Sequence, residues 1–189
     1  DLNYTTIGSL LGGCFTRYQS KSVLNIKSDD DHCLVYAVLA FFHSKSFNSA
    51  RQKEAASYLP FFKDLNLENI NFPIPIDQLD LFEQNNAFLN FGLNVFVEEN
   101  ADVYLFRKAT LKDEKTVAIN LLLIEGIDDL KHKKYHYMFI HNLSSFLRKR
   151  QVSSVGVLNY SLNHTCSKCF TSFFSENKRN DHELSLIHI

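Results

Sequence analysis

Val117-Ala118-Ile119-Asn120-Leu121-Leu122-Leu123-Ile124 offers water almost no polar face. A run this short and this apolar predicts a strand covered on both sides, and therefore an interior place in a sheet. Residues 135–141 alternate in character and predict its neighbour. Residues 93–97 and 103–107 predict two further strands, and Val23-Leu24-Asn25-Ile26 a short one at the front of the domain. Between the first strand and the rest the pattern turns helical. Ser28-Asp29-Asp30-Asp31 supplies acidic and capping residues ahead of Cys33-Leu34-Val35-Tyr36-Ala37-Val38-Leu39-Ala40-Phe41-Phe42. Periodicity alone fits that run to a strand or a buried helix, and the Asp cap favours helix, with Cys33 in its first turn. A second helix is expected over 49–59, stopped by Pro60. After the extended Asn71-Phe72-Pro73-Ile74-Pro75-Ile76, Asp77 is expected to cap a short helix through Gln84, and Ser144 a basic helix over 145–150. Helices first and a meander of strands afterwards give an α+β class: N-terminal helices with an antiparallel or mixed sheet.

The length of 189 residues suits one domain with a small appendage. Seventeen Phe and eight Tyr against one Met and no Trp predict a core of aromatic rings and branched aliphatics. No apolar run approaches the ~18 residues of a membrane span, and the N-terminus has no signal-peptide pattern. The division expected is an irregular segment at 1–22, the α+β domain at 23–150, a polar linker at 151–163 and an incomplete zinc finger at 164–183. The absence of an initiating Met suggests that sequence is missing upstream. Leu184-Ser185-Leu186-Ile187-His188-Ile189 back-translates as CTG TCT CTT ATA CAC ATC, the transposase mosaic-end adapter of sequencing libraries, so 184–189 is expected to be foreign to the protein.

Net charge is −1, unevenly spread. From Lys131 to His182 nine Lys/Arg face two acids, which leaves this stretch at +7 and the remainder at −8. Only this part of the chain offers a basic face to DNA, through Lys131, Lys133, Lys134, Arg148, Lys149 and Arg150, and a solvated basic loop and helix end is the alternative. A protein partner is the other class of ligand considered.

Of the cysteines Cys14, Cys33, Cys166 and Cys169, the last two lie two residues apart, with His182 downstream. A close Cys pair with a following His suggests metal and a reducing, intracellular compartment rather than a disulfide framework. Cys166-Ser167-Lys168-Cys169, twelve residues and His182 give C-x2-C-x12-H, the spacing of the first three ligands of a Cys2His2 or Cys2HisCys zinc site. Phe173 stands where such fingers place a core aromatic, and Ser175 can cap the helix that carries His182. Arg179 occupies the position of the usual Leu. His188 has an allowed spacing for a fourth ligand but belongs to the suspected foreign segment, so the true fourth ligand is expected three to five residues after His182 in the intact gene.

Cys33 at a helix N-terminus and His136 on a late strand stand in the order of a cysteine nucleophile and its base. Asp30-Asp31-His32-Cys33-Leu34-Val35-Tyr36-Ala37 resembles the Asp-x-x-Cys-Leu-Phe-x-Ala pattern of ovarian-tumour-type papain-like peptidases, and His136-Tyr137 is similar to their late His-Tyr. That resemblance implies a papain-like fold and a Cys33–His136 hydrolase pair. The third member is not evident: Asn142 lies ~20 Å along the strand from His136, and the +2 position is Met138. The alternative is a small buried Cys on a core helix and a strand His. His32 and His43 read as structural or surface residues.

Taken together, Leu24 to Cys33, Phe72-Pro73-Ile74, Phe82-Glu83-Gln84-Asn85-Asn86, Asn120 to Ile124, His136-Tyr137, Asn142-Leu143 and the Cys166–His182 unit resemble the N-terminal region of Maverick/Polinton-like mobile-element proteins of animal genomes. In these a zinc finger precedes a family-B DNA polymerase. The resemblance implies a replication-associated binding module, with polymerase chemistry outside this chain.

Overall fold

The computed structural model describes residues 22–99, 102–127, 133–147 and 164–183. Strands β1 (Val23–Leu24), β2 (Phe91–Glu99), β3 (Asp102–Arg107), β4 (Val117–Ile127) and β5 (Lys133–Ile140) form one mixed sheet in the order β1-β5-β4-β2-β3. The apolar run 117–124 is interior, as its composition requires, with β5 antiparallel on one side. On its other side β2 runs parallel, from Phe91↔Val117 to Val97↔Leu123. The sheet is therefore not a meander. The β2–β3 hairpin places β3 at the edge, and the chain returns to the opposite side of β2.

Alternation along β4 and β5 divides the core in two. Ile119, Leu121, Leu123, Tyr137 and Phe139 face helix α1 (Cys33–His43) and its apolar residues Leu34 to Ala40. Leu122, Ile124, Met138 and Ile140 face the other way, toward Leu143 and Phe146 of α3 (Leu143–Leu147). Helix α2 (Leu79–Asn85) adds Leu79 and Phe82 to the first cluster. Among the described residues no helix is long and apolar enough to cross a membrane.

Local details correct several expectations. The residue capping α1 is His32, without a side-chain bond to the helix. Asp30 acts around it: Oδ1 accepts from His32 N–H at 3.1 Å and Oδ2 from Tyr36 Oη at 2.7 Å. Residues 49–59 form 3-10 turns, not a helix, because their backbone groups are spent elsewhere. Lys27 N–H donates to Lys53 O and Ala55 N–H to Lys27 O, a bridge incompatible with i→i−4 bonding. Gln78, not Asp77, precedes α2. Asn142, not Ser144, caps α3: its Oδ1 accepts from Ser145 N–H at 2.9 Å. Ser144 faces the C-terminal unit instead. Of the segment 1–22 only Ser22 is described, and 151–163 and 184–189 lie outside the described residues.

Candidate metal centre and a buried cysteine–histidine site

The C-terminal unit is a hairpin, β6 (His164–Thr165) with β7 (Ser172–Phe173), followed by α4 (Glu176–Glu183). The hairpin turn is the Cys166–Cys169 knuckle, and its own backbone holds it. Phe170 N–H donates to Cys166 O and Cys166 N–H to Thr171 O, both at 2.9 Å, while Lys168 N–H donates to Cys166 Sγ at 3.4 Å. Phe170 adopts a left-handed backbone, φ 63°, which costs a non-glycine residue about 1–2 kcal/mol. Its ring lies edge-on to Phe96 of β2, with centroids 5.7 Å apart.

Ser175 caps α4 as expected, its Oγ accepting from Lys178 N–H at 3.3 Å. The helix returns His182 to the knuckle, where Nε2 is 3.0 Å from Cys169 Sγ and the imidazole centroid 4.8 Å from that of Phe173. Ligand atoms of Cys166, Cys169 and His182 all lie within 4.8 Å of one another. Bonds of about 2.0–2.3 Å can converge on one ion from such positions. The Cys-Cys-His group is therefore able to hold a metal ion. Cys33, Cys166 and Cys169 form no disulfide. Burial pushes the Cys166 thiol up to about 11. Burial acts in the same direction on Cys169, but hydrogen bonding to Thr171 leaves that thiol below its usual range.

Side chains of the α+β domain seat this unit. Asn94 of β2, 1% exposed, donates through Nδ2 to Ser167 O and to Asn120 Oδ1, each at 2.9 Å, and accepts from Ala109 N–H at 2.8 Å. Thr165 N–H donates to Ser144 Oγ at 2.6 Å, and Lys168 Nζ to Glu114 O at 2.7 Å. Sequence patterning points to neither Asn94 nor Ser144 in this role. Arg179 lies between Glu176 Oε1 (3.3 Å) and Glu183 Oε1 (3.9 Å). The basic residues singled out for DNA are divided: Lys133 and Lys134 open β5, whereas Lys131, Arg148, Lys149 and Arg150 lie outside the described residues.

Cys33 and His136 come to one part of the fold. Cys33 is the first residue of α1, and its Sγ accepts from the N–H of Tyr137, the residue after His136, at 3.5 Å. His136 Nε2 is 2.8 Å from Asn25 Oδ1. An amide oxygen only accepts, so this bond places the ring proton on Nε2. Asn25 thus orients His136 from 111 residues away, a role the sequence does not reveal beyond showing one polar residue within an apolar strand. Asn142 makes no such contact and caps α3. The site is sealed, with Cys33 2% and His136 3% exposed. Burial pushes the Cys33 thiol up to about 11, against the Tyr137 and Leu34 N–H groups, and the His136 imidazole down to about 4. His32 packs on Phe72 and Phe62, and His43 stacks on Phe61 at 3.8 Å, both structural placements.

Comparison of the chain with protein-family models, with curated proteins and with solved structures found no match.

Proposed function

We propose that the chain is a zinc-ordered binding module, a small zinc unit fixed against an α+β domain, as its resemblance to mobile-element replication proteins implies. The observation that carries this reading is the convergence of Cys166, Cys169 and His182. Two thiolates and an imidazole match zinc's preferred donors, and the ion would supply a cross-link between knuckle and helix. The intracellular setting belongs to this reading, since the ligand thiols must stay reduced. Helix α4 carries Glu176, Asp181 and Glu183 against Lys178 and Arg179, a balance that favours a protein partner over a phosphate backbone. DNA binding would fall to Lys131, Lys133, Lys134, Arg148, Lys149 and Arg150. Cobalt titration tests the reading: the expected result is thiolate charge-transfer bands that vanish in Cys166→Ser and Cys169→Ser. Absence of those bands in the unaltered chain would reject it. DNA affinity that is flat with salt would reject the nucleic-acid branch.

One observation favours a second reading, a cysteine hydrolase. The Asn25–His136 bond supplies an orienter beside a Cys at a helix N-terminus. With Nε2 donating to Asn25, the proton acceptor in this reading is Nδ1. Burial of both groups and their opposed pKa shifts weigh against it. Labelling with iodoacetamide across pH separates the two. An active pair labels at Cys33 near neutral pH, and a sealed core thiol with a raised pKa stays unlabelled until the fold opens.

A further inference from the structure

β4 is paired with β2 from Val117 to Leu123, but pairing with β5 begins only at Leu121↔Phe139. β5 stops at Ile140, and the chain is drawn off toward α3: the N–H groups of His141 and Asn142 both donate to Ser22 O. Residues 117–120 therefore have a strand on one side and, among the described residues, none on the other. Val117 N–H donates to Asn90 O on the β2 side. Strand alternation then turns the N–H and C=O of Ala118, and the N–H of Asn120, to the open side.

That side faces a cavity of about 470 Å³ between the sheet and the zinc unit, with Ala118, Asn120, Asn142, His164, Ser167 and Arg179 among its lining residues. Unpaired strand edges template further strands, and proteins use such edges to capture extended peptides. Charge narrows the occupant. Glu176 and Glu183 both line the cavity against Arg179, which lies between them, and burial disfavours the charged form of the His141 imidazole, pushing it below its ordinary value. One carboxylate is in excess.

We infer that the cleft between β4 and α4 accepts an extended peptide segment of a protein partner, bound as an added strand along Ala118–Asn120 with a basic side chain toward Glu176 and Glu183. This deepens the binding-module reading and rests on it, since the zinc unit forms one wall.

The test uses the full zinc-loaded chain, its metal content verified by mass spectrometry, and an acetylated, amidated hexapeptide of alternating Val and Lys. Binding is followed by the amide resonances of Ala118 and Asn120. The expected result is saturable shifts at both, slower exchange of the Ala118 amide, and affinity about tenfold weaker when alternate peptide amides are N-methylated, which removes donors worth one or two net hydrogen bonds. Replacing Lys by Glu in the peptide, or Glu183→Lys in the protein, should weaken binding comparably. Glu183 is 30% exposed at the end of α4, and an unchanged zinc content in the variant reports that the unit is kept. Unmoved Ala118 and Asn120 resonances at millimolar peptide, or equal binding by the N-methylated peptide, would overturn the inference. If the chain takes up no zinc, the binding-module reading fails instead, so the two failures are distinguishable.

Discussion

The molecule holds two cysteine–histidine clusters, and they differ in what surrounds them. Cys33 and His136 lie inside the main core, where burial drives both toward their neutral forms. In the second cluster Cys166 is as buried as Cys33 and its thiol is pushed up as well, but Cys169 and His182 are only half-buried, and against the effect of burial hydrogen bonding to Thr171 lowers the Cys169 thiol. A cluster becomes a metal site or a packing element through its dielectric and backbone support, not through residue type. The same contrast implies that removing metal should act on one cluster and leave the other unmoved.

The largest expected effect tests that separation. If the unit holds zinc as proposed, stripping the metal, or Cys166→Ser, should unfold the 164–183 unit, since structural zinc contributes on the order of 10 kcal/mol in small fingers and the unit has little core of its own. Hydrogen exchange should then quicken at Cys166 and Phe170 while Leu121 and Leu122 in β4 stay protected. Loss of protection across β4 as well would show that the two clusters form one cooperative unit.

A smaller effect is expected at the junction. Asn94→Ala removes a side chain that serves Ser167, Asn120 and Ala109 together. Stranding such buried groups costs about 1–3 kcal/mol each. Urea unfolding should show a loss of that order, with zinc affinity reduced as well because the knuckle loses its seat. An unchanged midpoint would mean that water replaces Asn94 freely.

The buried pair provides a pH signature. His136 has a folded pKa of about 4, below the ordinary 6.5, so the fold prefers the neutral imidazole. Stability is fully present above about pH 6.5 and falls as pH drops toward 4, because the unfolded chain takes up the proton first. The loss is on the order of 3 kcal/mol at most. His136→Asn should flatten that slope, and a slope unchanged by the substitution would assign the acid sensitivity to other groups.

The same contrast explains what was legible in the sequence. The apolar run at 117–124, the alternating 135–141 and the C-x2-C-x12-H spacing all express local periodicity or chain geometry, and each appears where expected. Asn25 on His136, Asn94 on Ser167 and Ser144 on Thr165 span 111, 73 and 21 residues. Polar pairings at that separation leave no periodic trace. The helix expected at 49–59 failed for a related reason, since pairing with Lys27 overrides local propensity.

The smallest effect concerns Arg179, which stands where a leucine would fill the miniature core of an independent zinc finger. Here the unit leans on the sheet through Phe170 and Phe96, and Arg179 lies on the cleft side between Glu176 and Glu183. Its side chain is 28% exposed, so its ion pairs contribute at most about 1 kcal/mol. Arg179→Leu should therefore leave zinc affinity within about 0.5 kcal/mol of the original, as surface substitutions usually do. A gain well beyond that, measured by competition with a chelator, would mean that the unit does build a core of its own and that the lost leucine weakens it. The distinction bears directly on the comparison, because a unit with its own core would no longer need the α+β domain to hold its metal ligands in place.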